Sequence, residues 1–354
     1  MKPFQVFLVG TGQVGSEFLR QFFTCRHSFT LTGVLNSTRA IVSESPRGIQ
    51  CKGVSDVLYM LNKADPKNDS DLLSHLRECW LNDKLCAVID CTASEHVASK
   101  YIDWIREGAY VITANKKGIA TDMESYSTIE PYLANRTRYE STVGAGLPII
   151  STLKRMQQTG DRIKSIEGIF SGTLSYIFNN ISKDKPFSQV VREARKLGYT
   201  EPDPRNDLDG MDVARKAVIL ARTCGMRAPS PDEGGVNRES LIPNDLSISQ
   251  VPDCEEFLQR LSELDEPISE KIQTALDEDQ VVRYVGKVDF ELGIVTAQLK
   301  KFRTNHPFAN LTGTNNVISI KSDYYDEVPL VIQGPGAGNA VTAQGVLGDL
   351  LSLR

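Results

Sequence analysis

Long apolar runs are missing from this chain of 354 residues: no segment approaches the ~18 consecutive apolar residues that a membrane-spanning helix requires. The opening MKPFQVFLVGTG is interrupted by Gln5 and by glycines before it can form the apolar stretch of a secretory signal. A soluble, untargeted, cytoplasmic protein with no membrane partner is expected. Paired cysteines are missing too. The seven cysteines (Cys25, Cys51, Cys79, Cys86, Cys91, Cys224 and Cys254) form no CxxC motif and have no histidine nearby at zinc-ligand spacing, so reduced thiols are expected. Positive charge is not in excess: 40 Lys and Arg stand against 45 Asp and Glu, for a net charge of −5. That balance offers phosphate backbones no general attraction, and no nucleic-acid partner is expected. What is present is an enzyme-like composition, 40% apolar and 24% charged, in a chain long enough for about two domains.

Phe4 to Val9 is a mostly apolar run of strand length that leads directly into Gly10-Thr11-Gly12-Gln13-Val14-Gly15 and then into the amphipathic stretch Ser16 to Phe23. Between a strand and a helix, GxGxxG reads as a dinucleotide site. Gly10 permits the tight turn, Gly12 lets backbone approach a pyrophosphate, and Gly15 allows close packing of helix on strand. The helix start adds unpaired N–H groups and the positive end of a dipole. A second strand is expected at Phe29 to Leu35. About 20 residues beyond the glycines, an acidic residue would hold the ribose 2′-hydroxyl of NAD. The sequence reads Asn36-Ser37-Thr38-Arg39 instead, and Arg39 suits a 2′-phosphate, so NADP is expected to be accepted, with NAD left open as the alternative.

After the polar stretch Ala64 to Asp71, strand-like Leu85 to Cys91, helix-like Glu95 to Glu107, strand-like Ala109 to Thr113 and helix-like Met123 to Ala134 follow in turn. Such alternation implies a parallel sheet covered on both faces, with ligands beyond the carboxyl ends of its strands. Thr92, Ala93 and Ser94 are thereby placed beside the cofactor, as are Asn115 and either Lys116 or Lys117.

Strand-like Thr137 to Val143 and the glycine-rich Gly144 to Pro148 lead out of this domain, and Ile149 to Met156 has helical period. Ile163 to Phe170 then reads as a strand, and Leu174 to Ile181 and Phe187 to Leu197 read as helices. The βαβ alternation has stopped, so the later chain is expected to be α+β. Its densest polar cluster runs from Gly198 to Lys216. Pro202 and Pro204 forbid helix through the first part, whereas MDVARKAVILARTCGM from Met211 is strongly helical and ends at Gly225. Asp212 and Lys216 lie four apart on one face, with Asp209 just before them and the Glu201 to Asp207 loop able to fold back against that face. Two readings stay open. The pair is either a surface salt bridge worth about 0.3 to 0.5 kcal/mol, or a partly buried ammonium, since Val213, Ala217, Val218 and Leu220 crowd around it. In the second case Lys216 suits proton exchange with an alcohol oxygen.

The strings GTGQVG, DCTASEHVA, TANKKG, YESTVGAGLPIISTL, IEGIFSGTLSYIFN, GYTEPDPRNDLDGMDVARKAVILAR and GPGAGNAVTAQGVLGDLL, taken together, resemble homoserine dehydrogenase over nearly the whole chain. The likeness is to the dehydrogenase half of bifunctional aspartate kinase–homoserine dehydrogenases, without a kinase portion or a C-terminal regulatory extension, so threonine feedback through an added domain is not expected. The resemblance implies an α/β architecture: a Rossmann-type parallel-sheet domain over 1–148, an α+β substrate-binding and dimerisation domain over 149–325, and a segment over 326–354 that returns to the first domain. It implies reversible NAD(P)-linked interconversion of L-homoserine and L-aspartate 4-semialdehyde, on the route to threonine, methionine and isoleucine.

By position, the resemblance makes Lys216 the acid/base lysine, with Lys116 a second lysine near nicotinamide and substrate. It assigns Gly198, Glu201, Asp207 and Asp212 to substrate binding, Asp212 standing in the catalytic set as well. It brings Gly336, in Gly334-Pro335-Gly336-Ala337-Gly338 ahead of helix-like Val341 to Leu351, back to the cofactor. It places a monovalent cation, sodium, on Glu140 and the carbonyls of Val143, Ala145 and Leu147. A homodimer is implied, with Ile163 to Phe170 and the strands after Gln280 forming a shared sheet. Two positions depart from the family pattern: Ala114 replaces a proline before Asn-Lys, and Asn206 replaces an aspartate. The competing readings are another NADP-dependent oxidoreductase of a small amino or hydroxy acid and a non-catalytic NADP-sensing protein. A phosphorylating semialdehyde dehydrogenase is disfavoured, because no cysteine stands in an activated setting.

Overall fold

The computed structural model describes residues 4–25, 27–66, 69–243 and 247–353. The chain divides into two compact units, Met1–Leu147 with Gly338–Arg354, and Pro148–Ala337.

In the first unit, strands β1 (Phe4–Val9), β2 (Phe29–Leu35), β3 (Ala40–Val42), β4 (Leu85–Asp90), β5 (Tyr110–Thr113) and β6 (Thr137–Arg138) form one sheet in the order β3-β2-β1-β4-β5-β6. All neighbours are parallel except β3, which runs antiparallel on the edge of β2. Every residue of β1 is buried, as expected of a central strand covered on both faces. Phe18, Leu19 and Phe22 from helix Gln13–Thr24 join Val346, Leu347 and Leu350 from the returning helix Asn339–Leu351 in the core that packs on Val6, Leu8 and Ile89.

Several expected elements differ in extent. The helix read as Glu95 to Glu107 is two, Glu95–Ala98 and Tyr101–Arg106, parted where the Ser99 hydroxyl donates back to the His96 carbonyl. Met123–Ile129 stops short of Ala134 and gives way to a 3-10 turn at Glu130–Tyr132, because Pro131 has no N–H to continue the helix. The strand read as Thr137 to Val143 is confined to two residues, after which Glu140–Thr142 turns through a 3-10 helix and the Glu140 N–H goes to Asp349 instead of a neighbouring strand. Two helices not read from the sequence, Val54–Lys63 and Asp69–Leu81, flank the polar stretch Ala64 to Asp71, the second beginning inside it, and residues 67 and 68 of that stretch lie outside the described residues.

The second unit carries β7 (Ile163–Ile169), β8 (Asn237–Arg238), β9 (Gln280–Asp289), β10 (Ile294–Arg303), β11 (Asn315–Ser322) and β12 (Leu330–Pro335), in the order β12-β11-β7-β9-β10-β8. Pairs are antiparallel save β8 against β10. The return to the first unit therefore starts at Gly338, later than residue 326, because β12 is hydrogen-bonded along β11. β7 lies inside the sheet with both edges occupied, so Ile163 to Phe170 cannot extend a sheet edge to edge into a second copy; the outer strands are β12 and β8. Helix Met211–Thr223 packs on β9 and β10 and is buried along most of its length, where Gly286 of β9 leaves room for Val213 and for the Phe170 ring. Among the described residues, no helix is long and apolar enough to cross a membrane.

Arg283 of β9 is 6% exposed and donates to four backbone carbonyls, those of Phe178, Val282, Phe308 and Ala309, while burial pulls its guanidinium down to about 10. It ties helix Gly172–Asn180 and the Phe308 segment to the sheet. Arg283→Met keeps the apolar stem but strands these carbonyls, and urea unfolding is expected to show a loss of about 3 kcal/mol or more; an unchanged midpoint would contradict this role.

Candidate active site

The glycine loop of the first unit has the geometry of a phosphate cradle. Gly10 holds φ +95° and donates its N–H to the Leu35 carbonyl at 2.8 Å, and a Cβ on Gly15 would lie 1.9 Å from the Gly10 oxygen, so helix and strand touch there. Around Gly12 the space is open, and the helix Gln13–Thr24 starting there has no side-chain cap on its first N–H groups. Those are the donors a pyrophosphate takes. Thr11 accepts from Ser16, Val14 packs on the core, and Gln13 accepts from Asn339 at 2.9 Å. The glycine-rich helix start beside this loop is thus Gly338-Asn339. Gly336, read as a cofactor residue, belongs to the second unit, where it lies against Asn316.

Arg39 is half-buried. Its backbone N–H is held by Asn36 at 2.7 Å, and its guanidinium donates to the Ala64 carbonyl.

Beyond β4, a buried network governs the two loops that carry the other candidates. Asp90, fully buried at the end of β4, accepts from the Tyr101 hydroxyl at 2.5 Å, the Thr92 N–H at 2.7 Å and the Asn115 amide at 3.0 Å. Burial pushes its carboxyl up, against these donors. Asn115 also donates to the Ser94 carbonyl, and its own oxygen caps the turn Lys116–Gly118 through the Lys117 N–H. Thr92, exposed Ala93 and half-buried Lys116 are thereby fixed. Lys117, also half-buried, has its Nζ 3.9 Å from exposed Glu95. Asp90 and Tyr101 escaped the sequence reading; their only signal was an acidic residue closing a buried strand.

Farther along, Glu140 is 9% exposed, and Gly144 and Ala145 take φ +74° and +55° in the loop that carries Val143, Ala145 and Leu147. Cys91 is half-buried, and desolvation pushes its thiol up, as it does that of half-buried Cys224, to about 12, which suits neither to act as a nucleophile.

In the second unit, Lys216 is 8% exposed. Its Nζ donates to the Phe170 carbonyl at 2.7 Å and lies 2.7 Å from Asp212, whose carboxylate is half-exposed. The surface-pair reading is overturned: Met211–Thr223 packs its Lys216 face inward. Asp207 accepts from the Thr173 hydroxyl at 2.9 Å and from the Glu201 N–H at 2.8 Å, which folds the Glu201 loop back toward the helix. Glu201 and Gly198 are exposed, and Gly198 turns the chain at φ +75°. Burial pushes the Asp207 carboxyl up to about 6, with the charges of Glu201 and Asp212 adding to it. Thr173, Phe170 and Asn316, none of them assigned to a site by the sequence reading, complete the cluster; Asn316 donates to the same Phe170 carbonyl.

A buried amine beside a carboxylate in one unit and an uncapped glycine loop in the other are the parts of a nicotinamide-linked dehydrogenase. The family model for homoserine dehydrogenase matches residues 148–351, and that for the homoserine dehydrogenase NAD binding domain matches residues 10–138.

The chain belongs to the homoserine dehydrogenase family.

It is 41% identical to homoserine dehydrogenase of Saccharomyces cerevisiae over 99% of this chain and 98% of the yeast protein. A Candida auris protein of unknown function is similar in structure, with a TM-score of 0.90 and 36% identity over 100% of this chain and 98% of that one. A hyperthermophilic archaeal homoserine dehydrogenase mutant in complex with NADPH shares the fold, with a TM-score of 0.70 and 23% identity over 98% of this chain and 96% of that one. As a homoserine dehydrogenase, the chain is an NAD(P)-dependent oxidoreductase.

The Asp207 environment has a measurable consequence. Its folded value, about 6, lies above the ordinary 3.8, so the folded state binds this proton more tightly than the unfolded chain does. Its contribution to stability is fully present below the unfolded value and is lost as pH rises through the folded one. Asp207→Asn cannot ionise. Between about pH 4 and about pH 7 its stability relative to wild type is expected to improve by about 2 kcal/mol in urea titrations, and a pH-independent difference would contradict the assignment.

Proposed function

We propose that this chain interconverts L-homoserine and L-aspartate 4-semialdehyde reversibly, with the first unit binding the coenzyme and the second the substrate and the proton carrier. The observation that carries this reading is Lys216, almost wholly buried with its ammonium between the Asp212 carboxylate and the Phe170 carbonyl. When bound, the nicotinamide supplies or accepts the hydride. In the oxidation direction the Lys216 amine takes the substrate hydroxyl proton, and in reduction its ammonium returns it. Asp212 favours the charged form of the amine and burial the neutral one. Lys116 steadies the developing oxyanion. Glu201 and Asp207 hold the substrate ammonium at the turn made by Gly198, Asp207 best when ionised.

Thr92, Ala93 and the glycine loop from Gly10 to Gly15 hold the coenzyme. Arg39, anchored on Ala64, lies just past β2, where a 2′-phosphate is read, and this favours NADP over NAD. A sodium ion on Glu140 and the carbonyls of Val143, Ala145 and Leu147 suits a buried carboxylate beside a tightly turned loop. A cytoplasmic homodimer is part of this reading.

The test is homoserine-dependent reduction of NADP and of NAD, with and without sodium. Wild type is expected to turn over. Lys216→Ala is expected to lose about 10²- to 10⁴-fold in kcat with coenzyme binding kept, and Arg39→Ala to lose affinity for NADP but not for NAD. An inactive wild type contradicts the proposed reaction; a fully active Lys216→Ala moves the proton to another group.

A further inference from the structure

Lys216 and Asn316 share one acceptor. The Lys216 Nζ donates to the Phe170 carbonyl at 2.7 Å, and the Asn316 Nδ2 donates to the same oxygen at 3.2 Å. A carbonyl has two lone pairs, so both donors are accommodated, and each fixes the direction left for the other. Asn316 lies on β11, one position beyond the pair in which Val317 faces Ile169 of β7, which sets it at the level of Phe170.

Asn316 is fully buried, and among the described residues nothing donates to its Oδ1. A buried acceptor without a donor is unfavourable. Turning the amide over would not relieve it, because the Asn316 oxygen would then face the Phe170 oxygen. An apolar side chain would avoid the penalty, so what the asparagine contributes is its donated bond. Gly336 keeps the space clear: a Cβ there would lie 1.9 Å from the Asn316 Nδ2.

We propose that Asn316 is a positioning residue for Lys216, holding the Phe170 carbonyl where that oxygen seats the lysine ammonium. This rests on Lys216 as the proton carrier of the reaction proposed above. Asn316 does not itself exchange a proton, and Gly336 acts through it by leaving it room.

The test is a double-mutant cycle on homoserine oxidation with Asn316→Ala and Lys216→Ala, joined to NMR of the Lys216 side-chain nitrogen, whose resonance is assigned by its loss in Lys216→Ala. Asn316→Ala is expected to lower kcat about tenfold or more with both KM values nearly unchanged. In the Lys216→Ala background it is expected to cost nothing further. In the singly substituted Asn316→Ala protein the lysine resonance is expected to move. Equal losses in both backgrounds, a loss confined to KM, or an unmoved resonance would overturn the proposal. Should Asn316→Ala fail to fold, Gly336→Ala, which presses on the amide, is carried through the same cycle with the same expectations. A wild-type protein without homoserine turnover counts against the reaction, and the resonance then decides the role of Asn316 by itself.

Discussion

A lysine ammonium taken out of water is the constraint around which the second unit is arranged. Desolvation of a charge is unfavourable by several kcal/mol after relaxation, and attraction to a carboxylate compensates only when further hydrogen bonds complete the shell. Lys216 has both, in Asp212 one helical turn before it and the Phe170 carbonyl at the end of β7. The carboxylate comes with the helix itself, but the carbonyl is not available to a lysine on a free helix. The helix Met211–Thr223 must lie on β9 and β10 with this face inward, and the chain must leave β7 with a carbonyl pointing at it. The neighbouring Asp207 is subject to the same physics with opposite sign, since burial and the nearby carboxylates favour its neutral form.

The first unit handles a buried charge differently. Asp90 is held by neutral donors, the Tyr101 hydroxyl and the amides of Thr92 and Asn115, instead of by a cation. Because those donors belong to two loops and a helix, the carboxylate acts as a clamp across the carboxyl ends of β4 and β5. The loops that carry Thr92 and Lys116 inherit their positions from it. Its effect on Lys116 is one of placement; the turn Lys116–Gly118 is set by Asn115, and Asn115 by Asp90.

The parallel sheet was legible because its strands are apolar runs separated by helical period, and β1 and β2 fall at the limits expected for them. The glycine loop was legible because GxGxxG carries its own steric reason. Lys216 could be singled out from the apolar residues around it, but whether its ammonium faced inward could not, since i,i+4 spacing describes a surface pair equally well. Asn316 and the Phe170 carbonyl left no trace at all: one is a common strand residue and the other is backbone, and they meet only through the pairing of β11 with β7. Gly336 was assigned to the coenzyme through the family resemblance; a Cβ there would also meet the Asn316 amide, a steric role its motif did not show.

The most direct measurement is titration of the Lys216 side-chain nitrogen, followed by NMR in wild type and in Asp212→Asn. If the carboxylate holds the buried ammonium in its charged form, the lysine loses its proton at lower pH in the variant than in wild type. Identical titration in the two proteins would mean that the pair does not govern this amine, and the account of the site built on it would be wrong.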